Sequence, residues 1–99
     1  MLQPEGRLES SARPAFEHRL AEVSLLGTER VLIDLSRVSF IGSAALRAIL
    51  VTAKRLVATG GRLVIFAPPP VAQIFAVSGL DMVLPVHLSL GHARAALAD

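Results

Sequence analysis

The hydrophobic and polar positions along the chain form blocks that predict strands alternating with helices. Two short runs, 30–35 and 62–66, are apolar on nearly every residue, which is typical of central strands covered on both faces. Residues 2–8 and 83–87 are weaker strand candidates. Because the connections between blocks are short, the order β-α-β-α-β-α-β-α predicts an α/β fold with a mostly parallel sheet and helices packed on it.

The clearest helix is predicted from about residue 44 to residue 59. Its apolar residues repeat at positions i, i+3, i+4 and i+7, and would therefore form one wide buried stripe. The members of this stripe are Ala45, Leu46, Ile49, Leu50, Ala53, Leu56 and Val57. Two glycines follow at 60 and 61 and indicate the end of the helix.

Similar spacing predicts three further helices. One follows the capping candidates Ser10 and Ser11 and ends near Gly27, another has Pro70 in its first turn, and the last covers 91–98. The residues expected on the apolar faces are Ala15, Phe16, Leu20, Val23 and Leu26 in the early helix, and Val71, Ile74, Phe75 and Val77 in the later one.

Length and composition fit this reading. The chain has 99 residues, which predicts one domain over 1–99. Hydrophobic residues make up 53% of it and aromatic residues only 4%, so the core must be aliphatic. An aliphatic core suits helices on a parallel sheet better than an all-β sandwich.

Several classes of protein are not expected. No cysteine is present, which excludes disulfides, thiol catalysis and zinc–cysteine sites. Apolar runs fall short of the roughly 18 residues of a membrane span, and the first residues lack the apolar segment of a signal peptide. We therefore expect a cytoplasmic protein without direct membrane insertion. The net charge of +2 comes from scattered residues, so nucleic acid is not an expected partner.

The sequence also predicts no catalytic residues, no metal and no cofactor. The histidines at 18, 87 and 92 lack ligand spacing, and the glycine pair at 60–61 follows a helix instead of opening one. Asp34 could be considered as a catalytic acid, but the sequence shows no nucleophile and base that would act with it. We therefore expect a protein that is not an enzyme.

Ser43 is the main candidate for a functional residue. Residues 36–42 are predicted as a loop, so Ser43 lies at a strand–loop–helix junction, where its hydroxyl could cap the following helix. A phosphate added there would be favoured by the free N–H groups and by the helix dipole. The alternative is that Ser43 is only an N-cap, which would stabilise the helix by about 1 kcal/mol.

A second candidate is the outer face of the same helix. Ser43, Arg47, Val51 and Lys54 fall on one stripe opposite the buried face. A hydroxyl, two cations and an exposed aliphatic side chain would suit a partner protein with acidic and apolar groups. The alternative is an ordinary solvated face with one exposed valine.

Residues 31–46, VLIDLSRVSFIGSAAL, resemble the STAS family, the anti-sigma factor antagonists. Members typically show an apolar strand ending in Asp-Leu-Ser, followed by an apolar pair and Asp-Ser-Ser-Gly-Leu or Ser-Ser-Ala-Gly-Leu-Arg. Further landmarks extend the resemblance over almost the whole chain: GRLE at 6–9, GGRL at 60–63 and SGLD at 78–81.

The resemblance implies a partner-switching regulator. In the family, an anti-sigma factor that is an ATP-dependent serine kinase phosphorylates the serine that corresponds to Ser43, which breaks the complex, and a serine phosphatase resets it. ATP thus belongs to the partner. The residues expected to bind the partner are Glu9, Gly42, Ser43, Ala44, Arg47, Val51 and Lys54.

The sequence departs from the family pattern in three respects. Gly42 replaces the common Asp, which would slow or abolish phosphorylation if that acid guides the kinase. Ala45 replaces the usual Gly and adds a methyl where a close approach is expected. We also expect a truncated N-terminal strand, because Met1 begins almost on the GRLE segment, and an open sheet edge there would favour a homodimer.

Two other functions stay open. A STAS-like domain can serve as an accessory subunit that docks on a membrane transporter ATPase without phosphorylation, and the loss of the acid at Gly42 favours this alternative. A small enzyme on a flavodoxin-like sheet is the other, but the sequence shows no converging polar residues to support it.

Overall fold

The computed structural model describes residues 1–9, 13–25 and 30–98, which form parallel strands with helices packed on both faces. The strands are β1 (Gly6–Leu8), β2 (Arg30–Asp34), β3 (Val38–Ile41), β4 (Arg62–Phe66) and β5 (Val86–His87). The helices are α1 (Arg13–Leu25), α2 (Ser43–Ala58), α3 (Pro69–Ser78) and α4 (Leu90–Ala98), with a 3₁₀ helix at Leu80–Met82. The predicted α/β fold with a mostly parallel sheet is confirmed.

All strand pairs of the described residues are parallel. β4 pairs with β2 on one side and with β5 on the other, and β1 pairs with β3. Leu2 joins these two groups, because its N–H donates to the Leu32 carbonyl and its carbonyl accepts from the Asp34 N–H, both at 2.8 Å. The segment before β1 therefore occupies the edge of β2 that β4 leaves open.

The two faces of β2 and β4 bury different clusters, because successive side chains of a strand point in opposite directions. The odd-numbered residues Val31, Ile33, Leu63 and Ile65 belong to a large core shared with α1, α2 and α3. The even-numbered Leu32 and Val64 pack with Ala93 of α4. Coverage on both faces explains why these strands are continuous apolar runs.

The prediction of a loop over 36–42 is wrong, because β3 lies within it. Val38 and Ile41 are buried in the large core while Ser39 is exposed. Four residues are too few for a clear alternation signal, and the strand is stabilised by its pairing with β1. The predicted strand at 83–87 shrinks to Val86–His87, because the 3₁₀ helix precedes it.

Helix α2 confirms the predicted helix within one residue at each end. Its buried residues are Ala45, Leu46, Ile49, Thr52, Ala53 and Leu56. Two members of the predicted stripe differ: Leu50 is half-buried and Val57 is 67% exposed. The buried face of the helix is therefore narrower than predicted. Thr52 can be buried on this face because its hydroxyl donates a hydrogen bond to the Ala48 carbonyl at 2.8 Å.

The other helices also bury fewer positions than predicted. In α1, Phe16 and Leu20 are buried, Val23 is half-buried and Ala15 is exposed. The expectations for Ser10, Ser11, Leu26 and Gly27 lie outside the described residues.

In α3, Val71 and Phe75 are buried, but Val77 is exposed, since two steps along a helix turn the side chain almost to the opposite face. Gly79 ends α3 with a φ of 79°, the left-handed conformation that favours glycine. Within the described part of the chain, no helix combines the length and apolar character needed to cross a membrane.

Candidate functional site

The predicted site lies where β1 and β3 end and α2 begins. The Gly42 N–H donates to the Leu8 carbonyl at 3.1 Å, which fixes the end of β3 against the end of β1. Glu9 follows β1 directly and Ser43 follows Gly42. The parallel pairing of β1 with β3 therefore brings together residues more than thirty positions apart in the sequence.

Ser43 is the first helical residue of α2 and does not cap it. Gly42 occupies the N-cap position with an extended backbone (φ −79°, ψ 166°), and its carbonyl accepts the first helical hydrogen bond, from the Leu46 N–H at 3.1 Å. The prediction of Ser43 as a side-chain cap is therefore wrong. Its side chain is exposed, and its hydroxyl has no hydrogen-bond partner among residues 1–9, 13–25 and 30–98.

Glu9 is held in place by Arg7, a residue that the sequence did not single out. The Arg7 guanidinium lies 3.1 and 3.2 Å from the two carboxylate oxygens of Glu9. The same guanidinium stacks over the Phe40 ring, 4.6 Å from its centroid. The alignment of β1 with β3 creates this cluster, so no local pattern could have revealed it.

Gly42 has ordinary space around it. A Cβ at this position would lie 3.5 Å from the Cβ of Glu9 and 3.6 Å from the Leu8 carbonyl oxygen, both normal van der Waals distances. The φ of −79° suits any residue. Neither backbone conformation nor crowding therefore requires glycine here.

An open groove of about 630 Å³ runs between α1 and α2, and Ser43 lies at the N-terminal end of α2 along its wall. We call it the Ser43 groove, and its main lining residues are Ser43, Ala44, Arg47 and Val51 from α2, and Glu17 and Leu20 from α1. It thus unites four of the predicted partner-binding residues. Gly42 precedes Ser43 in the chain, and Glu9 lies beside Gly42.

Lys54 does not belong to this groove. It is exposed on α2 but lines a separate depression on the other flank of the helix, beside β4. Arg55, which was not among the predicted residues, lines the Ser43 groove instead. Three residues of the predicted stripe, Ser43, Arg47 and Val51, therefore line one groove, and the fourth, Lys54, lines the other.

All charged side chains of α2 are positive. The helix carries Arg47, Lys54 and Arg55 and no acidic residue. All three cations are exposed, while the acidic side chain that lines the groove, Glu17, comes from α1. The outer face of α2 is therefore electropositive.

Ala45 points away from this surface, because its methyl group is completely buried in the core. The close approach expected at this position would therefore be to the core and not to a partner on the outer face of α2.

The Asp34 carboxylate is buried and accepts hydrogen bonds from within the protein. It is buried at the end of β2, where one carboxylate oxygen accepts from the Ser36 N–H at 2.9 Å and the other from Gln3 Nε2 at 3.1 Å. In the described segments, no three histidine, aspartate or glutamate side chains are grouped as metal ligands.

The exposed Ser43 hydroxyl, the Ser43 groove and the cations of α2 together suit the binding of a protein.

Comparison with known proteins gives matches in sequence and in fold. The STAS domain family matches residues 1–93. The chain is 37% identical over 93 residues to BtrV of Bordetella bronchiseptica, a protein named as an anti-sigma factor antagonist, and the match covers 93% of this chain and 80% of BtrV.

Solved structures show the same fold. An anti-sigma factor antagonist from Mycobacterium paratuberculosis superposes with a TM-score of 0.82 at 28% identity, over 96% of this chain and 81% of that one. SpoIIAA, an anti-sigma factor antagonist in its unphosphorylated form, gives a TM-score of 0.70 at 16% identity, over 94% of this chain and 82% of SpoIIAA. The sequence motifs, the parallel fold and these similarities together place the protein in the STAS domain family.

Proposed function

We propose that this protein is an anti-sigma factor antagonist, which binds a kinase-type anti-sigma factor and is released when Ser43 is phosphorylated. The observation that carries the proposal is the exposed Ser43 hydroxyl, at the start of α2 and on the wall of the Ser43 groove. The similarity to proteins named as anti-sigma factor antagonists supports the same function. In this proposal the protein regulates by binding, in the cytoplasm, and catalyses nothing itself.

The Ser43 groove offers the chemistry of a binding surface. Ala44 and Val51 supply apolar contact area, and Arg47 supplies a cation between them. The Glu9 carboxylate, fixed by Arg7, adds an acid at the edge. A partner that fits would present an apolar segment flanked by acids toward α2 and a donor toward Glu9.

Phosphorylation would change this surface in two ways. A phosphoserine carries about −1.5 to −2 charges, which the N-terminus of α2 tolerates because its N–H groups and dipole favour an anion. Arg47 lies one helical turn from Ser43, at the i, i+4 spacing that lets side chains pair. The phosphate would therefore compete with the partner for Arg47 and repel the acids that the unmodified surface attracts.

The proposal assigns the other components to the partners. The anti-sigma factor supplies ATP and the kinase activity, and a serine phosphatase removes the phosphate. This chain contributes the acceptor hydroxyl and the docking surface.

The intact mass of the protein tests the proposal. The protein is incubated with ATP and with each serine-kinase-type anti-sigma factor of its source organism, with Ser43→Ala as the control. We expect a gain of one phosphate in the unaltered protein and none in Ser43→Ala. Stable binding without any phosphate transfer would contradict the switch.

A second candidate is an accessory subunit that docks on a transporter ATPase without phosphorylation. The glycine at position 42, where an acid is common, favours it. Binding to the nucleotide-binding subunit of a transporter, unchanged by Ser43→Asp, would support this function over the first.

A homodimer also remains a prediction. Leu2 pairs with β2, and the terminal strands of the two described groups include β3 and β5, which each pair on one side only. Light scattering at high protein concentration tests self-association, and a strictly monomeric profile would contradict it.

A further inference from the structure

Arg55 is the lining residue of the Ser43 groove that lies farthest along α2 from Ser43. Ser43, Arg47, Val51 and Arg55 follow one another at intervals of four residues, so they form one row along the helix. At a rise of about 1.5 Å per residue, Arg55 lies roughly 18 Å along the helix axis from Ser43 and roughly 12 Å from Arg47. The Ser43 groove therefore continues for about three helical turns beyond Ser43 itself.

The two arginines of this row have no partner within the described part of the chain. Neither the Arg47 guanidinium nor the Arg55 guanidinium makes an ion pair or a hydrogen bond to any described residue, and both side chains are exposed. Arg7, by contrast, is held by the Glu9 carboxylate. Two exposed guanidinium groups on one groove, without an internal acceptor, can bind carboxylates of another molecule.

Apolar side chains separate the two cations. Val51 stands between Arg47 and Arg55 in the row and is 38% exposed. Alanines 21, 44 and 48 also line the groove, and their small side chains leave room for a helix to pack beside α1 and α2. Along α2 the Ser43 groove therefore offers an apolar centre with a cation on either side.

We propose that the Ser43 groove binds an α-helix of the anti-sigma factor and that Arg55 anchors the end of this helix remote from Ser43. This role of Arg55 rests on the function proposed above and specifies the segment of the partner that the groove accepts. Acids at positions i and i+7 of the partner helix share one face and lie about 10.5 Å apart, which suits the roughly 12 Å between Arg47 and Arg55. Apolar residues at i+3 and i+4 would cover Val51.

Arg55 thereby takes the role that the sequence analysis expected of Lys54. The two residues are neighbours in the chain, but their side chains line different grooves. Successive side chains of a helix point about 100° apart, which explains why only one of these two cations borders the Ser43 groove. A partner helix in that groove should therefore distinguish Arg55 from Lys54.

Isothermal titration calorimetry with the anti-sigma factor tests this distinction. Arg55→Glu should weaken binding about tenfold or more, because it places a negative charge against an acid of the partner. Lys54→Glu makes the same change of charge one residue away, and Arg94→Glu makes it on the exposed side of α4. Each of these two variants should weaken binding less than about twofold, because exposed charges outside an interface contribute little.

The kinetics of phosphate transfer separate Arg55 from the chemistry at Ser43. Because Arg55 lies roughly 18 Å along α2 from Ser43, Arg55→Glu should raise the KM of the kinase for this protein about tenfold and change kcat less than about twofold. A fall in kcat with unchanged KM would overturn the proposed role. Circular dichroism of each variant confirms that it is folded.

Two fluorescent peptides test whether the occupant is a helix. Both have about 15 residues, enough to form a helix, and the same composition, with leucines between two glutamates. One has the glutamates at i and i+7, on one face, and the other has them at i and i+5, on different faces. Fluorescence anisotropy with the intact protein should show at least about tenfold tighter binding of the first peptide, and Arg55→Glu should remove that difference.

Other results would overturn the proposal. These are equal losses in Arg55→Glu and Lys54→Glu, equal affinity for the two peptides, or no binding of either peptide. Phosphorylation of Ser43 in the unaltered protein shows in each case whether the proposed function still holds. Absence of both binding and phosphorylation with every anti-sigma factor would reject that function and the role of Arg55 together. Self-association that Arg55→Glu abolishes, without binding of the first peptide, would assign the groove to a second copy of the chain.

Discussion

Gly42 and Glu9 lie in contact at the surface, with only 3.5 Å between the Cβ of Glu9 and the place a Cβ would take on Gly42. The two positions come from the ends of β3 and β1, which the Gly42–Leu8 hydrogen bond holds together. Any side chain introduced at 42 would therefore stand beside Glu9 and next to Ser43. This contact makes position 42 a point from which a single substitution can change the chemistry around Ser43 without altering the fold.

Gly42→Asp should speed phosphorylation of Ser43. The family commonly has an acid at this position, and the φ of −79° and the open space allow one here. Repulsion from Glu9 should be small, because Arg7 neutralises that carboxylate. A mass time course with the kinase and ATP measures the rate. Gly42→Asn is the uncharged control, and an equal increase in both variants would show that charge is not the cause.

Ser43→Ala should barely change the stability of the protein. The hydroxyl has no hydrogen-bond partner in the described part of the chain, so its removal should alter the free energy of unfolding by less than about 0.5 kcal/mol. Urea denaturation measures this value. A loss near the ~1 kcal/mol of a true N-cap would show that Ser43 caps α2 in solution.

Arg47→Glu should weaken binding to the anti-sigma factor about tenfold, because it reverses a charge on the wall of the Ser43 groove. The unaltered complex should weaken as salt is raised, and the variant should lose much of that dependence. Isothermal titration calorimetry at two salt concentrations measures both effects. Arg94→Glu, on the exposed side of α4, is the matched control, and an equal loss in it would indicate a general effect of net charge.

Asp34→Ala should lower the free energy of unfolding by about 1–3 kcal/mol, because it leaves the Ser36 N–H without its acceptor and Gln3 without its own. Asp34→Asn should cost less, since it keeps one oxygen that can accept from Ser36. Urea denaturation of the two variants measures the difference. Equal stability of Asp34→Ala and the unaltered protein would remove the structural role assigned to this carboxylate.

Ala45→Gly should lower the free energy of unfolding by about 1–2 kcal/mol, from the lower helix propensity of glycine and the loss of a buried methyl group. It should not improve partner binding, because the methyl group faces the core. Thermal unfolding and calorimetry measure the two quantities. Tighter binding of the partner by this variant would place position 45 at the interface.

The sequence by itself determined the central strands, the helix α2 and the family. The runs around 30–34 and 62–66 are apolar because both faces of these strands are covered, and that requirement is visible in any short window of sequence. The motif around Ser43 likewise depends on neighbouring residues, so its place at the start of α2 could be predicted within one residue.

Only the tertiary structure decided which distant residues meet. Strand β3 depends on β1 for its hydrogen bonds, and the cluster of Arg7, Glu9 and Phe40 depends on the alignment of those two strands. The exposure of Val57 and the separation of Lys54 from the Ser43 groove depend on which elements pack beside α2. A short stretch of sequence shows the period of one helix or strand. These contacts depend on how several elements pack together, and residues far apart in the sequence decide that packing.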